Sequence, residues 1–173
     1  MNSMIGEMLL TNGQTQLAEQ YGLLPFEVQV LEPTRTLCEK IMSLVRFSYG
    51  ENPIEDLQQK IRHTYDLHQL LQQAEFNRFF QSLAFDKMLL KVAQDDVKSF
   101  RNNNRWLSYH PWRSLMFSEL DKVWAELSTV YEGEFKNLVC GKLPAAEAVL
   151  STLKIISERL TTIKWTIEID SNV

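Results

Sequence analysis

The spacing of hydrophobic positions along the chain predicts a mostly helical protein. In five stretches, apolar residues recur at intervals of three and four, which is the repeat of one helix face. The predicted helices start at Pro33, run over 55–73, 86–100 and 115–131, and end with one that begins at Pro144. Proline at a first-turn position suits a helix start because its missing N–H has no intrahelical partner there. Asp86 is the expected N-cap of the third of these helices.

Two short stretches have a strand-like pattern instead. Phe26, Val28 and Val30 alternate with polar residues, which predicts a half-buried strand over 26–31. Residues 165–169 are also β-like, and we expect them either to pair with that strand or to form a tail. The predicted fold is therefore mainly α, a helical bundle with a small β element near residues 26–31. We expect a single domain over 1–173, in which 1–31 is a residual β or irregular segment and 32–173 is the bundle.

Composition fits an ordinary globular protein. The chain has 173 residues, of which 45% are hydrophobic and 23% charged. No apolar run approaches the roughly 20 residues of a membrane span, and the N-terminus lacks the basic start of a signal peptide. Two distant cysteines, Cys38 and Cys140, do not suggest a disulfide framework, so we expect both in the core of a protein in the reducing cytoplasm.

A local basic and aromatic segment stands out because the net charge of the chain is −4. Residues 97–118 contain no acidic residue, and basic and aromatic side chains are interleaved there. The basic ones are Lys98, Arg101, Arg105 and Arg113, and the aromatic ones include Phe100, Trp106, Tyr109 and Trp112. This combination contacts phosphates and stacks bases, so one interpretation is that 98–113 binds RNA through Arg101 and Arg105. In the alternative interpretation the aromatic rings cap the helical core and the arginines are only solvated.

Two motifs follow the predicted strand in order. The first is Arg35-Thr36-Leu37-Cys38-Glu39-Lys40, on the helix that Pro33 opens, and the second is Arg62-His63-Thr64-Tyr65-Asp66-Leu67 on the next helix. With the strand before them, residues 26–71 resemble the second half of the AbiEii/AbiGii toxin family of nucleotidyltransferases. That family shows a strand, a proline-led Arg-Thr-x-x-Glu-Lys helix and an Arg-His-x-Tyr-Asp-Leu helix.

The resemblance implies a site on these two helices. Lys40 would reach the phosphates of a nucleotide, and Asp66 would be the helix-borne acid that supports the same site. Arg35 and Arg62, from the same two motifs, would assist in substrate binding. Spacing leaves simpler interpretations open: the stem of Lys40 covers apolar surface, and Asp66 forms a surface ion pair with Arg62, four residues before it.

The metal-binding part of the family's site is missing from this sequence. The family carries it on a Gly-Ser turn followed by an Asp-x-Asp strand, and neither motif occurs here. The three histidines and two cysteines also lack the spacing of a metal site, so we expect no metal ligand in this chain. By resemblance, Mg²⁺ and a nucleoside triphosphate would bind only if a catalytic half completed the site.

The sequence therefore supports two hypotheses. In the first, the chain is the C-terminal, helical part of an AbiEii-like enzyme of a type IV toxin–antitoxin, or abortive infection, system. By resemblance, the complete enzyme would transfer nucleotides from a nucleoside triphosphate to RNA, such as tRNA, and this chain alone would be inactive. Its partners would be a cognate antitoxin and the missing catalytic half. The second is a non-catalytic helical module that binds a protein or forms homo-oligomers.

Overall fold

The computed structural model describes residues 4–24 and 32–169, and these residues are almost entirely helical. Within them there are α-helices and short 3-10 helices but no β-strand. The strand predicted over 26–31 lies outside the described residues. The β-like stretch 165–169 is described, and it is neither helix nor strand. The mainly α prediction is thus confirmed, whereas the small β element is not supported.

The chain divides into two compact units, Met1–Leu31 and Glu32–Val173. In the first unit, α1 (Met4–Thr11) packs on α2 (Thr15–Gln20). Gly13, in the turn between them, has a φ of +71°, a value that favours glycine. The exposed large apolar side chains of this unit are Met4, Ile5, Met8, Leu17, Tyr21 and Leu24. No basic residue occurs before Arg35, so this surface is apolar and weakly acidic.

The second unit is a bundle of eight α-helices in the described residues. These are α3 (Pro33–Phe47), α4 (Pro53–Gln58), α5 (Ile61–Gln72), α6 (Ala74–Phe80), α7 (Leu83–Ser99), α8 (Leu115–Ser118), α9 (Leu120–Glu132) and α10 (Ala146–Thr161). Short 3-10 helices cover Arg105–Ser108, Pro111–Arg113 and Phe135–Leu138. None of the helices that the structure describes has the length and apolar character needed to cross a bilayer.

Helix α3 organises the bundle because it packs against both α7 and α5. Its apolar stripe is fully buried, at Leu37, Cys38, Ile41, Met42, Leu44 and Val45. The predicted core position of Cys38 is confirmed, and burial raises the pKa of its thiol. Cys140 is exposed, so its predicted core position is wrong: it lies in an irregular stretch before α10, outside any apolar helix stripe.

Several predicted helix boundaries are wrong. The predicted helix over 55–73 is two helices, interrupted at Gln59–Lys60. Leu57 and Ile61 are four residues apart across this break and both are buried, so apolar spacing alone could not reveal it. The N-cap of α7 is Ser82, whose Oγ accepts a bond from Ala84 N at 3.2 Å, and Asp86 lies in the first turn. The segment 115–131 is likewise divided, at Glu119.

The guanidinium of Arg159 joins the end of α10 to the start of α7. It donates to the carbonyl oxygens of Phe80 and Ser82, each at 3.2 Å, and to the carboxylate of Asp86. A fourth bond reaches Thr162 Oγ1 at 2.7 Å. The side chains of Arg159 and Asp86 are mostly buried, and Arg159 also supplies a donor to the carbonyl of Phe80, the last residue of α6.

Candidate functional site

Lys40 and Asp66 form a direct ion pair although 26 residues separate them. Lys40 Nζ donates to Asp66 Oδ2 at 2.6 Å. The two side chains are 18% and 20% exposed, so the pair is largely shielded and one edge remains open to solvent. The two residues that the resemblance assigned to one site therefore lie together, where α3 packs on α5.

Arg62 contributes a second, weaker contact to the same carboxylate. Its Nε lies 3.5 Å from Asp66 Oδ2, and its side chain is 78% exposed. The i, i+4 pair that spacing suggested therefore exists, but it does not replace the pair with Lys40. One ammonium and one guanidinium converge on Asp66, and the ammonium of Lys40 has further N–H donors beyond the one that Asp66 accepts.

The charges of Lys40 and Asp66 act on the neighbouring imidazole of His63. Burial lowers the pKa of His63 to about 4, with Lys40 and Lys60 acting in the same direction, so its ring is neutral at pH 7. Its Nδ1 is buried and has no hydrogen-bond partner among the described residues. Sequence reasoning named His63 within the second motif but gave it no role. The signal that was available is its position three residues before Asp66.

Arg35 lies apart from Lys40 and Asp66. Its Nε contacts Glu39 Oε1 at 2.8 Å, and its Nη1 contacts Asp95 Oδ2 on α7 at 2.9 Å. Arg35 and Lys40 are five residues apart, so they point about 140° apart around α3. The α7 side of α3 also holds a cavity of about 210 Å³, lined by Glu39, Met42, Ser43, Arg46, Val92 and Asp96.

Asp96 carries an unfavourable charge in this cavity. Burial raises its pKa from 3.8 to about 6, and the nearby carboxylates of Glu39 and Asp95 add to the shift, whereas Arg46 and Arg35 oppose it. A carboxyl group whose pKa is raised by folding stabilises the native state below pH 3.8, and that stabilisation is lost as the pH rises through 6. At pH 7 the charged Asp96 therefore reduces stability.

Replacing Asp96 with asparagine tests whether the charge of Asp96 reduces the stability of the protein at pH 7. We expect Asp96→Asn to raise the free energy of unfolding by about 1 kcal/mol at pH 7, after allowance for partial exposure, and to change nothing at pH 4. Chemical denaturation at both pH values measures the difference. Asp95→Asn is the matched control, and it should destabilise because it breaks the contact with Arg35. A destabilising Asp96→Asn at pH 7 would contradict the assignment.

The segment 97–118 is divided between core and surface. Trp106 is buried and donates from Nε1 to Asn103 O at 3.1 Å. The guanidinium carbon of Arg46 lies over the ring of Phe100, 4.2 Å from the centroid of that ring. Arg101 and Arg105 are exposed, and in the described part of the chain neither has a salt bridge. Some rings of the segment therefore cap the core, as the alternative interpretation expected, while the predicted RNA-contacting arginines lie at the surface.

Exposed aromatic rings accompany these arginines. Tyr109 stacks on Tyr49, with ring centroids 5.5 Å apart and planes inclined by 18°. Arg113 lies 5.6 Å from the ring centroid of Trp112, and all three rings are partly exposed. Tyr49 was missed by sequence reasoning because it lies just after α3, sixty residues before the ring it stacks on. No local pattern signals that contact.

The extent of the family match goes beyond the two motifs. A family model described as "Nucleotidyl transferase AbiEii toxin, Type IV TA system" matches residues 4–149, which includes the first unit and most of the bundle. No curated protein and no solved structure matches the chain. The match to this family model covers far more than half of the sequence and includes the Lys40 and Asp66 positions. The chain therefore belongs to the AbiEii nucleotidyltransferase toxin family of type IV toxin–antitoxin systems.

Proposed function

We propose that this chain is the helical, phosphate-binding part of an AbiEii-type nucleotidyltransferase, with Lys40 as the residue that binds the nucleotide. The observation that carries the proposal is the 2.6 Å contact between Lys40 Nζ and Asp66 Oδ2. Family membership alone would not distinguish a retained site from scattered remnants. The contact brings the two motif residues, which lie on separate helices, to one place on the surface, and this supports a retained site.

The chemistry of Lys40 suits a triphosphate. A lysine ammonium is a compact charge with three donors on a flexible stem, and Asp66 holds it at the boundary between α3 and α5. Arg62, almost fully exposed, adds a second cation at the edge of the site. Arg35 is a weaker candidate for substrate contact because Glu39 and Asp95 already neutralise it.

The carboxylates in the described part of the chain do not fit a magnesium site. Asp66 is engaged by Lys40 and Arg62, and within residues 4–24 and 32–169 no group of three or more His, Cys, Asp or Glu side chains could hold a metal ion. The proposal is that transfer needs carboxylates from a Gly-Ser…Asp-x-Asp segment outside this sequence, and that this chain is inactive without them.

Nucleotide binding tests the role of Lys40 directly. Thermal unfolding with increasing ATP, and separately with inorganic triphosphate, should show a rise in Tm for the wild type because a ligand that binds only the native state stabilises it. Lys40→Ala should lose that rise. Lys91→Ala, an exposed lysine on α7, should keep it. Equal ligand-induced shifts in the wild type and Lys40→Ala would contradict the proposal.

The acceptor proposed for the complete enzyme is RNA. Support comes from the exposed side of residues 98–113, which carries the exposed Arg101, Arg105 and Arg113; there Arg113 lies against the ring of Trp112, and Tyr109 stacks on Tyr49. Its arginines are free of salt bridges among the described residues, unlike Arg35. A charge-reversal experiment on this surface is argued in the Discussion.

A second candidate function is protein binding without catalysis, and one observation favours it. Six of the exposed large apolar side chains are concentrated in residues 4–24, and such concentrations mark interaction sites. A catalytic half or a cognate antitoxin would both suit this surface. Self-association or partner binding with no nucleotide-induced shift in Tm would favour this second function.

A further inference from the structure

The segment Lys164–Ile169 follows α10 and lies on the bundle like a single strand. Its side chains alternate: Trp165, Ile167 and Ile169 pack against the core, whereas the residues between them are exposed. This period of two is that of an extended chain. Trp165 fixes the segment, because its Nε1 donates to Leu107 O at 2.9 Å. Just before it, His110 Nε2 donates to Ile163 O, also at 2.9 Å.

The backbone of this segment forms no hydrogen bond with any other described residue. In the part of the chain that the structure describes, no backbone hydrogen bond involves an N–H or C=O of residues 164–169. A strand-like segment with unpaired backbone groups is a template for another strand. Addition of a strand to such an edge is a common mode of recognition, in which main-chain hydrogen bonds supply affinity.

There is open space beside the segment for an incoming chain. A groove of about 380 Å³ separates it from α7, and its lining residues are Gln94, Val97, Lys98, Thr166, Ile167 and Glu168. A strand laid along this edge would reach unpaired backbone groups on one side and the surface of α7 on the other. The edge is therefore not covered by the bundle itself.

The exposed side chains of the segment identify its partner. Lys164, Thr166 and Glu168 alternate along the solvent face. If two copies pair antiparallel about Thr166, each Lys164 lies opposite a Glu168 and the two threonines face each other. Opposite charges and threonine pairs at directly opposed positions both stabilise a sheet. Parallel pairing in register would instead place lysine beside lysine and glutamate beside glutamate.

We propose that residues 164–168 of two copies of this chain pair as antiparallel strands about Thr166 and so form a twofold symmetric dimer. Such an interface is isologous, with the same surface contributed by both copies. It would leave the Lys40–Asp66 pair untouched, so the proposal is independent of the proposed function. It also gives the β-like segment a strand partner other than residues 26–31.

Charge reversal at the two paired positions tests the dimer. Sedimentation equilibrium should show a concentration-dependent dimer for the wild type. Lys164→Glu alone, or Glu168→Lys alone, places like charges at both cross-strand positions and should raise the dimer dissociation constant about tenfold or more. The double variant Lys164→Glu/Glu168→Lys should restore it. Lys142→Glu, an exposed lysine elsewhere with the same charge change, should have no effect.

A cysteine at the centre of the segment gives a second test. In a Cys140→Ser background, Thr166→Cys should form a disulfide-linked dimer on mild oxidation, because opposed residues of antiparallel strands lie within disulfide range. A wild-type chain that is monomeric at every concentration, a double variant that does not recover, or capture of a different polypeptide by this segment without self-association would each overturn the proposal.

Discussion

Arg159→Met should lower the free energy of unfolding by about 3 kcal/mol. The substitution leaves the mostly buried carboxylate of Asp86 without its cation and removes one hydrogen-bond donor from each of two main-chain carbonyls, those of Phe80 and Ser82. Removing one member of a buried pair costs more than the pair itself contributes, because the remaining charge is left uncompensated.

Urea denaturation of the variant measures this loss, and thermal unfolding should show a decrease in Tm of about 6–12 °C for a chain of this size. Arg78→Met is the matched control because Arg78 lies exposed on α6, and it should change stability by less than about 0.5 kcal/mol. An Arg159→Met variant no less stable than Arg78→Met would show that the contacts of Arg159 with Phe80, Ser82 and Asp86 contribute little to stability.

Arg101→Glu/Arg105→Glu should weaken the binding of single-stranded RNA and reduce its dependence on salt. Each arginine that neutralises a phosphate releases counterions, and the slope of log affinity against log salt is about 0.7 per contact for single strands. Losing both contacts should therefore reduce the magnitude of that slope by about 1.4. Fluorescence anisotropy with a labelled oligoribonucleotide at several salt concentrations gives both the affinity and the slope.

A control variant with the same change in net charge shows whether RNA binding depends on this surface or only on the overall charge of the protein. Arg78→Glu/Lys87→Glu reverses two exposed charges on α6 and α7, so it alters the net charge equally. We expect it to retain most of the RNA affinity. If both double variants bind RNA as the wild type does, the surface around Tyr109 and Trp112 is not an RNA site.

The site could be anticipated from sequence to the extent that its residues lie in local motifs. Lys40 and Asp66 were assigned together by resemblance, and packing of α3 on α5 brings them into contact. The second partner of Arg35, Asp95, could not be anticipated, since it lies sixty residues away on α7. The Tyr49–Tyr109 pair was missed for the same reason. Contacts between distant segments depend on how helices pack, and local patterns do not encode that.

Fold prediction succeeded for helix content and failed at breaks and edges. Apolar periodicity identified the stripe of α3 and the faces of α5, α9 and α10. Apolar periodicity predicted one continuous helix across the interruption at Gln59–Lys60 because the apolar spacing continues there. At 165–169 the side chains alternate between core and solvent as in a strand, but a strand also needs a hydrogen-bonded neighbour, and sequence pattern cannot supply one.

The central claim is that this chain contributes the phosphate-binding helices of a nucleotidyltransferase whose metal-binding carboxylates lie elsewhere. The most direct measurement is the DNA sequence upstream of the Met1 codon. The account predicts a Gly-Ser…Asp-x-Asp segment there, either in frame with this sequence or as a neighbouring reading frame. An upstream region that encodes nothing of this kind would contradict the claim, and the chain would then be a helical binding module of the AbiEii family.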